Sequence, residues 1–99
     1  MTNQNIKEVV VYTLNEKVDP ANAFTFVREI LAGYSGVVSI ETEQMLNDPL
    51  TYMDIIVWEN AKQAQEAQQN FEKHPRASEF GHYFKETKFF AHFQPLQSN

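Results

Sequence analysis

The sequence predicts an α+β fold in which four strands form one antiparallel sheet and two main helices lie on one face of it. Segments with strand-like and helical apolar periodicity alternate along the chain, which is the first observation behind this prediction. The second is that the strand-like segments are apolar at successive positions. In the first segment, the alternating sets that begin at Val9 and at Val10 are both apolar or aromatic. Neither pleat face therefore has the polar character of a solvent-exposed face.

The apolar surface of these strands exceeds what the helices can cover. Residues 52–58 and 89–93 repeat the pattern of the first strand, so both faces of the sheet should be buried. One layer of helices covers only one of them. We therefore expect a homodimer in which a second copy packs its sheet against the first, closing a two-chain barrel with the helices outside.

The composition argues against several classes of protein. The 99 residues suffice for a single domain, which we assign to residues 1–99. Eight Lys and Arg against 13 Asp and Glu give a formal charge of −5, which disfavours nucleic acid or an anionic membrane as a partner. Without cysteine there is no disulfide, thiolate metal site or cysteine nucleophile. The sequence has no secretory signal pattern and no apolar run of about 18 residues, so a cytoplasmic location is expected.

The first helix has recognisable signals at both ends. Asp19 suits the N-cap position and Pro20 the first helical position. Apolar residues then recur at helical spacing, and Gly33 is expected to end the helix in a left-handed conformation. These signals place the helix at residues 20–32.

A β-hairpin should follow. Residues 37–45 are expected to form the second strand, whose more polar composition is typical of a sheet edge. Asn47, Asp48 and Pro49 have the chemistry of a turn. The third strand then ends at Trp58, antiparallel to the second.

The second helix is expected to open at Asn60, with Gln63 reaching back to complete a capping box. A narrow stripe of Ala residues runs along it, which allows close approach to the sheet. The His74-Pro75 pair should interrupt this helix, because proline disfavours helical geometry in the residue before it. Residues 76–83 are then expected to form a short offset helix.

The last strand is predicted at residues 88–96, followed by a tail at residues 97–99. The resulting order is β-α-β-β-α-β, the order of ferredoxin-like domains, in which both helices lie on one side of an antiparallel sheet.

The most recognisable stretch is residues 55–64, which holds the Trp that closes strand three and the Asn that opens the second helix. The His74-Pro75 break and an aromatic last strand follow. In this combination the chain resembles the antibiotic biosynthesis monooxygenase family of dimeric α+β barrel proteins, over about residues 6–96. That family includes cofactor-independent monooxygenases acting on polycyclic phenols and quinol-like compounds, haem-degrading enzymes, and small members without an assigned activity. The fold alone does not choose among them.

Asp54 is a candidate catalytic residue because it lies within an otherwise apolar strand, on the pleat face of Trp58. Desolvation would raise its pKa, so that it could take a proton from a phenol near neutral pH. The alternative is a structural carboxylate paired with Arg28, Lys88 or a backbone amide. Monooxygenases of the family can carry an amide side chain four residues before the strand-three Trp, where this chain has Asp54.

Trp58 is the second candidate. The resemblance suggests that it forms a flat wall for an aromatic substrate while its indole N–H holds a substrate oxygen. The alternative is a core residue that packs beneath a helix. A family Tyr on the second helix has no counterpart here, where Gln63, Ala64 and their neighbours stand.

The three histidines, His74, His82 and His92, lack the spacing of metal ligands, so no metal site is expected. His82 lies near the position at which haem-degrading relatives carry their axial His, but the strand-one Asn of those relatives is absent here. The alternative for His82 is a surface or pocket-lining residue. His92 should line either a cavity or a dimer contact.

Aromatic residues make up 13% of the chain, and we expect them to enclose a pocket for a flat apolar molecule. The predicted substrate-binding residues are Tyr12, Phe24, His82, Tyr83 and His92. The three scattered glycines form no phosphate-binding loop, so no cofactor is expected.

The leading hypothesis is a cofactor-independent monooxygenase for a small phenol-like or quinol-like compound, with Asp54 and Trp58 as catalytic residues. The alternatives are a non-catalytic small-molecule-binding or stress-response barrel protein, a haem-degrading enzyme, and a pure dimerisation domain.

Overall fold

A computed structural model describes residues 4–96, which form a four-stranded antiparallel sheet with its helices on one face. In chain order the elements are β1 (Ile6–Leu14), α1 (Pro20–Leu31), β2 (Val37–Gln44), β3 (Thr51–Trp58), α2 (Ala61–Asn70), α3 (Phe80–Tyr83) and β4 (Phe84–Phe93). The strands lie in the order β2-β3-β1-β4. This confirms the predicted ferredoxin-like α+β fold. The predicted tail at residues 97–99 lies outside the described residues.

Helix α1 begins as its sequence predicts, but it ends differently. The Asp19 side chain accepts a hydrogen bond of 3.0 Å from the Ala21 N–H. Gly33 does not adopt a left-handed conformation, because the chain leaves the helix through right-handed turns in which Gly33 N–H bonds Ile30 O. Among residues 4–96, positive φ is found only at Gly36, at 96°, where a Cβ would collide with the Gln63 side chain.

The β2–β3 hairpin is confirmed, with β2 at the sheet edge. The turn is closed by a 2.8 Å bond from Met45 N–H to Thr51 O. Asp48 stabilises it from within, because its carboxylate accepts bonds from the Leu50 N–H and the Thr51 hydroxyl. This places strand β3, with Asp54 at its centre, next to β1 in the middle of the sheet.

Helix α2 has half of the predicted capping box. Asn60 Oδ1 accepts a 2.9 Å bond from Gln63 N–H, but Gln63 does not reach back, and its Oε1 atom has no hydrogen-bond partner among residues 4–96. The break at His74-Pro75 lies where the sequence predicts it, between two 3₁₀ turns. There His74 Nδ1 accepts a 3.0 Å bond from Arg76 N–H.

The bounds predicted for the last strand are wrong. Strand β4 begins at Phe84 instead of residue 88 and ends at Phe93 instead of residue 96. Its pairing with β1 skips Lys85 and Lys88, so two register shifts interrupt the alternation by which a strand is recognised. Its outer edge is exposed, and charged residues are therefore tolerated there.

The two faces of the sheet differ in what covers them. Side chains of β1 and β3 at even sequence numbers face the helices and are mostly buried, with Tyr12, Ile56 and Trp58 each at most 3% exposed. Those at odd numbers lie on the opposite, uncovered face, where the residues from Val9 to Thr13 and from Met53 to Val57 are half-buried. No helix within residues 4–96 is long and apolar enough to cross a membrane.

Candidate functional site

A cavity of about 220 Å³ lies between the covered face of the sheet and the helices. Its walls are mainly apolar and include the aromatic rings of Trp58, Phe71, Phe80, Phe84 and Phe90. The lining residues with polar groups are Glu8, Tyr12, Tyr34, Asp54, Gln68 and Thr87. An apolar cavity with a few polar groups has the general character of a small-molecule site.

Asp54 lies in the cavity wall and is 3% exposed. Two hydroxyl groups donate to the same carboxylate oxygen, Oδ1: that of Tyr12 at 3.0 Å and that of Thr42 at 2.7 Å. No hydrogen bond to the other oxygen, Oδ2, occurs within residues 4–96. One oxygen is thus held in place by the protein, and the other can accept a ligand proton.

The electrostatic environment of Asp54 makes its carboxylate a stronger proton acceptor than that of an exposed Asp. Arg28 is the nearest cation in this network, but its Nη2 donates to Thr42 Oγ1 at 3.1 Å and makes no direct contact with the carboxylate. Burial raises the pKa of Asp54, and the bonds from Thr42 and Tyr12 offset this only in part. Burial and the adjacent Asp54 carboxylate also raise the pKa of Tyr12, which therefore stays a neutral donor.

Glu8 is a second buried carboxylate in the same cavity wall, at 9% exposed, and the sequence analysis did not identify it. Its Oε1 atom accepts a 3.2 Å bond from the indole N–H of Trp58 and lies 3.0 Å from His92 Nε2. No hydrogen bond to Oε2 is found in the described part of the chain. The signal that identifies Glu8 is its alternation with Val10 and Tyr12, which puts it on the covered face of β1.

The structure brings some of the predicted site residues together. Asp54, Trp58 and Tyr12 line the cavity. His92 reaches it through Glu8, and also lines a second, open depression of about 270 Å³ beside the start of α2. The indole N–H of Trp58 donates its hydrogen bond to Glu8, so it is not free to bind a ligand oxygen as the resemblance suggests.

Three predicted substrate-binding residues lie elsewhere. Phe24 packs edge-to-face against Tyr52, with ring centroids 5.0 Å apart. Tyr83 stacks on Phe26 at 4.8 Å. His82 is exposed, and its backbone carbonyl accepts a bond from Asn15. None of the three lines the cavity. The aromatic character on which their prediction depended suits a residue packed in the core as well as one in a cavity wall.

Residues that could bind a metal do not converge. Within the described range of 4–96, no group of three His, Cys, Asp or Glu side chains is arranged to hold a metal ion. Glu8 and His92 are in contact, but the Glu8 oxygen also accepts the hydrogen bond from the indole of Trp58.

The fold and the cavity define the class of protein: a ferredoxin-like α+β domain with an internal site under its helices. Solved structures with this fold include SnoaB from Streptomyces nogalater, a cofactor-independent oxygenase, at 17% identity and a TM-score of 0.73 over 96% of each chain. A protein from Bordetella bronchiseptica, provisionally named an antibiotic biosynthesis monooxygenase, has 16% identity and a TM-score of 0.72 over 96% of this chain and all of its own.

A provisionally named antibiotic biosynthesis monooxygenase from Chloroflexus aurantiacus is similar over 96% of each chain, at 12% identity and a TM-score of 0.68. At the level of sequence, neither a family model nor a curated protein matches the chain. The structural comparisons confirm the predicted resemblance to the antibiotic biosynthesis monooxygenases in fold.

Proposed function

We propose that this protein is a cofactor-independent monooxygenase that binds a small phenol-like or quinol-like compound in the cavity between sheet and helices. The observation that carries the proposal is the free Oδ2 atom of Asp54, on a buried carboxylate whose pKa is raised by burial. Such a group accepts a proton from a phenol more readily than an exposed Asp does. The function of SnoaB, which has the same fold, supports the proposal by analogy.

In the proposed reaction the substrate itself supplies all of the electrons that reduce molecular oxygen. Asp54 accepts the phenol proton, and the electron-rich ring carbon of the phenolate forms a bond to molecular oxygen. Loss of water from the resulting hydroperoxide leaves a second ring carbonyl. For a phenol with a free ring C–H, one phenol and one O₂ therefore give one quinone and one water, and no other reductant is needed.

The cavity limits the size of the substrate. A cavity of about 150 Å³ in another protein accepts benzene, so about 220 Å³ has room for a compound of roughly two fused rings. Trp58, held by its bond to Glu8, supplies a fixed aromatic wall for such a ring. Simple naphthols and hydroquinones therefore fit better than the larger polycyclic phenols.

The uncovered face of the sheet supports the proposal that the protein is a homodimer. Half-buried aliphatic side chains occupy its centre, and Phe89 and Phe93 beside them are 45% and 49% exposed. Contiguous apolar surface of this kind is typical of an interface. A second copy, joined sheet to sheet, fits it because the same patch on both chains is self-complementary. The cytoplasmic location remains a prediction.

The test is oxygen uptake by the purified, metal-free protein with 1-naphthol, 2-naphthol and substituted hydroquinones. Turnover is expected with at least one of these compounds and should fall at least 100-fold in Asp54→Asn, which keeps the acceptor for Tyr12 and Thr42 but cannot take a proton. Glu66→Gln removes a carboxylate from the exposed side of α2 and should leave turnover unchanged.

A second candidate function is a ligand-binding module without chemistry. The part of the cavity wall that α2 forms favours this candidate. Ala67 and Gln68 line the cavity there, whereas the resemblance to the monooxygenases would place a Tyr on this helix. Binding of a naphthol with no oxygen uptake in any variant would establish the module and contradict the oxygenase.

A further inference from the structure

The arrangement found at Asp54 occurs a second time in the same cavity wall, at Glu8. In each carboxylate, one oxygen is held by the protein. Asp54 Oδ1 accepts bonds from two hydroxyl groups, while Glu8 Oε1 accepts the bond from the Trp58 indole and lies 3.0 Å from His92 Nε2. The other oxygen of each carboxylate accepts no hydrogen bond from residues 4–96. The proposed reaction uses only one of these two similar groups.

The free oxygen of Glu8 is accessible. The Glu8 side chain is 12% exposed, and it lines the internal cavity but not the open depression beside α2. Within residues 4–96, the fully buried side-chain atoms that lack a hydrogen-bond partner are the Tyr34 hydroxyl and Gln63 Oε1. Glu8 Oε2 also lacks a partner but does not belong to this set, so it retains accessible surface. A molecule in the cavity can therefore contact it.

Glu8 and Asp54 are diagonal neighbours on the covered face of the sheet. The antiparallel pairing sets Val10 opposite Asp54, and Glu8 lies two residues before Val10 on β1. Diagonal positions on adjacent strands are about 7–8 Å apart between their Cα atoms. This is the scale of one aromatic ring with its hydroxyl, so a single ring can contact both carboxylates.

The final step of the proposed reaction needs a base at a second place. After oxygen has added to the ring, the hydrogen on that same carbon must leave as a proton while the O–O bond breaks. In a phenol that is oxygenated across the ring from its hydroxyl, this hydrogen lies at the end of the ring remote from Asp54. Because a base must be within hydrogen-bond reach of the proton that it removes, a group elsewhere in the cavity wall has to act.

We infer that Glu8 is a second catalytic base, whose free Oε2 atom removes the proton from the oxygenated ring carbon. By then Asp54 has returned the phenol proton to the peroxide. The electron pair of the C–H bond forms the new C=O bond as the O–O bond breaks, and the departing hydroxide takes the proton from Glu8 to leave as water. Both carboxylates return to their starting state. The inference rests on the proposed function for the phenol and for the role of Asp54.

The experiment is a single turnover of 1-naphthol in which oxygen uptake and 1,4-naphthoquinone absorbance are recorded together. In the unmodified protein, the quinone should appear in step with oxygen uptake. Glu8→Gln keeps an acceptor oxygen for Trp58 and His92 but removes the base. It should take up oxygen at a similar rate and form quinone about 100-fold more slowly, the lower end of the effect of a catalytic base. An adduct of one naphthol and one O₂ should accumulate, as detected by mass spectrometry.

Deuterium at ring carbon 4 of 1-naphthol supplies a readout that a purely structural role of Glu8 would not change. Quinone formation by Glu8→Gln should show a primary isotope effect, because removal of that hydrogen has become the slow step. Oxygen uptake should show none, since the C–H bond is still intact at that stage. The matched control Glu66→Gln should resemble the unmodified protein in both measurements.

Different failures identify different errors. Quinone formation in step with oxygen uptake in Glu8→Gln would overturn the inference and leave the role of Asp54 intact. An equal loss of oxygen uptake and quinone formation would also overturn it, because Glu8 would then act before the final step or only in folding. If the unmodified protein consumes oxygen with another test compound but not with 1-naphthol, the inference fails alone. If no compound supports oxygen uptake, the proposed function fails, and the inference fails with it.

Discussion

The two faces of this sheet are built from the same strands and differ in almost every physical property. On the covered face, β1 and β3 each place one carboxylate among apolar side chains: Glu8 on β1 and Asp54 on β3. On the uncovered face, the central positions of the same two strands are aliphatic, from Val9 to Val57. Adjacent residues of a strand point to opposite faces of the sheet. A shift of one residue in the pairing of a strand would therefore exchange its covered side chains with its uncovered ones. The alternation therefore places the two carboxylates and the half-buried apolar side chains on opposite faces of the sheet.

The largest effect is expected on the uncovered face. Ile55→Glu places a charge at the centre of the proposed interface, where an unpaired buried charge costs about 3–5 kcal/mol. The dimer should therefore dissociate at concentrations more than 100-fold higher than the unmodified dimer, as measured by sedimentation. Val38→Glu makes the same kind of change at a residue that is 53% exposed on the edge strand and should leave the mass unchanged. Equal masses for all three proteins would contradict a sheet-to-sheet dimer.

A smaller loss is expected on the covered face. Glu8→Ala leaves the Trp58 indole N–H and the His92 ring without their shared acceptor. Buried donors deprived of a partner should lower the free energy of unfolding by about 2–3 kcal/mol. Glu8→Gln keeps an acceptor oxygen and should lose less than half of that. The measurement is urea denaturation at one fixed protein concentration, because dimerisation would make the midpoint depend on concentration.

If Glu8→Ala and Glu8→Gln lose the same stability, the charge of Glu8 matters more than its role as acceptor. The sedimentation behaviour of both variants should match that of the unmodified protein, since neither side chain lies on the uncovered face.

The smallest expected effect is a change in pH dependence at Asp54. A carboxyl whose pKa is higher in the folded chain than in the unfolded chain binds its proton more tightly when folded, so stability falls as pH rises between the two pKa values. Burial raises the pKa of Asp54. Relative to Asp54→Asn, the unmodified protein should therefore lose stability from about pH 4 upward, by about 1.4 kcal/mol for each pKa unit that separates the two states.

The measurement is urea denaturation of both proteins at a series of pH values. Parallel curves for the two proteins would mean that the pKa of Asp54 is the same in the folded and unfolded chains, and would remove the basis for its role as a base.

The fold could be predicted from the sequence because it depends on periodicity and caps that are local. The Asp19-Pro20 start of α1 and the Asn60 start of α2 are examples, and the element order followed from them. Asp54 was identifiable because a carboxylate stands out within an apolar strand. The edge strand β4 was misplaced because its skipped residues obscure the alternation.

The partners of Glu8 were not predictable in the same way. Glu8 stands beside Lys7 near the start of β1, where a charged residue usually indicates a solvated strand end. Its contacts come from Trp58 and His92, which are 50 and 84 positions away in the chain. Only the register of β1 with both of its neighbours brings the three side chains together.

The two skipped residues of β4 also affect how the protein avoids aggregation. An edge strand exposes a row of unpaired backbone groups on which another chain can form a β-sheet. In β4 the surplus residues are Lys85 and Lys88, so the edge strand is irregular and carries a lysine at each irregularity. Bulges and lysines are two devices that block edge-to-edge growth. A chain with so much apolar strand surface can therefore offer one face for association while its β4 edge is protected from uncontrolled extension.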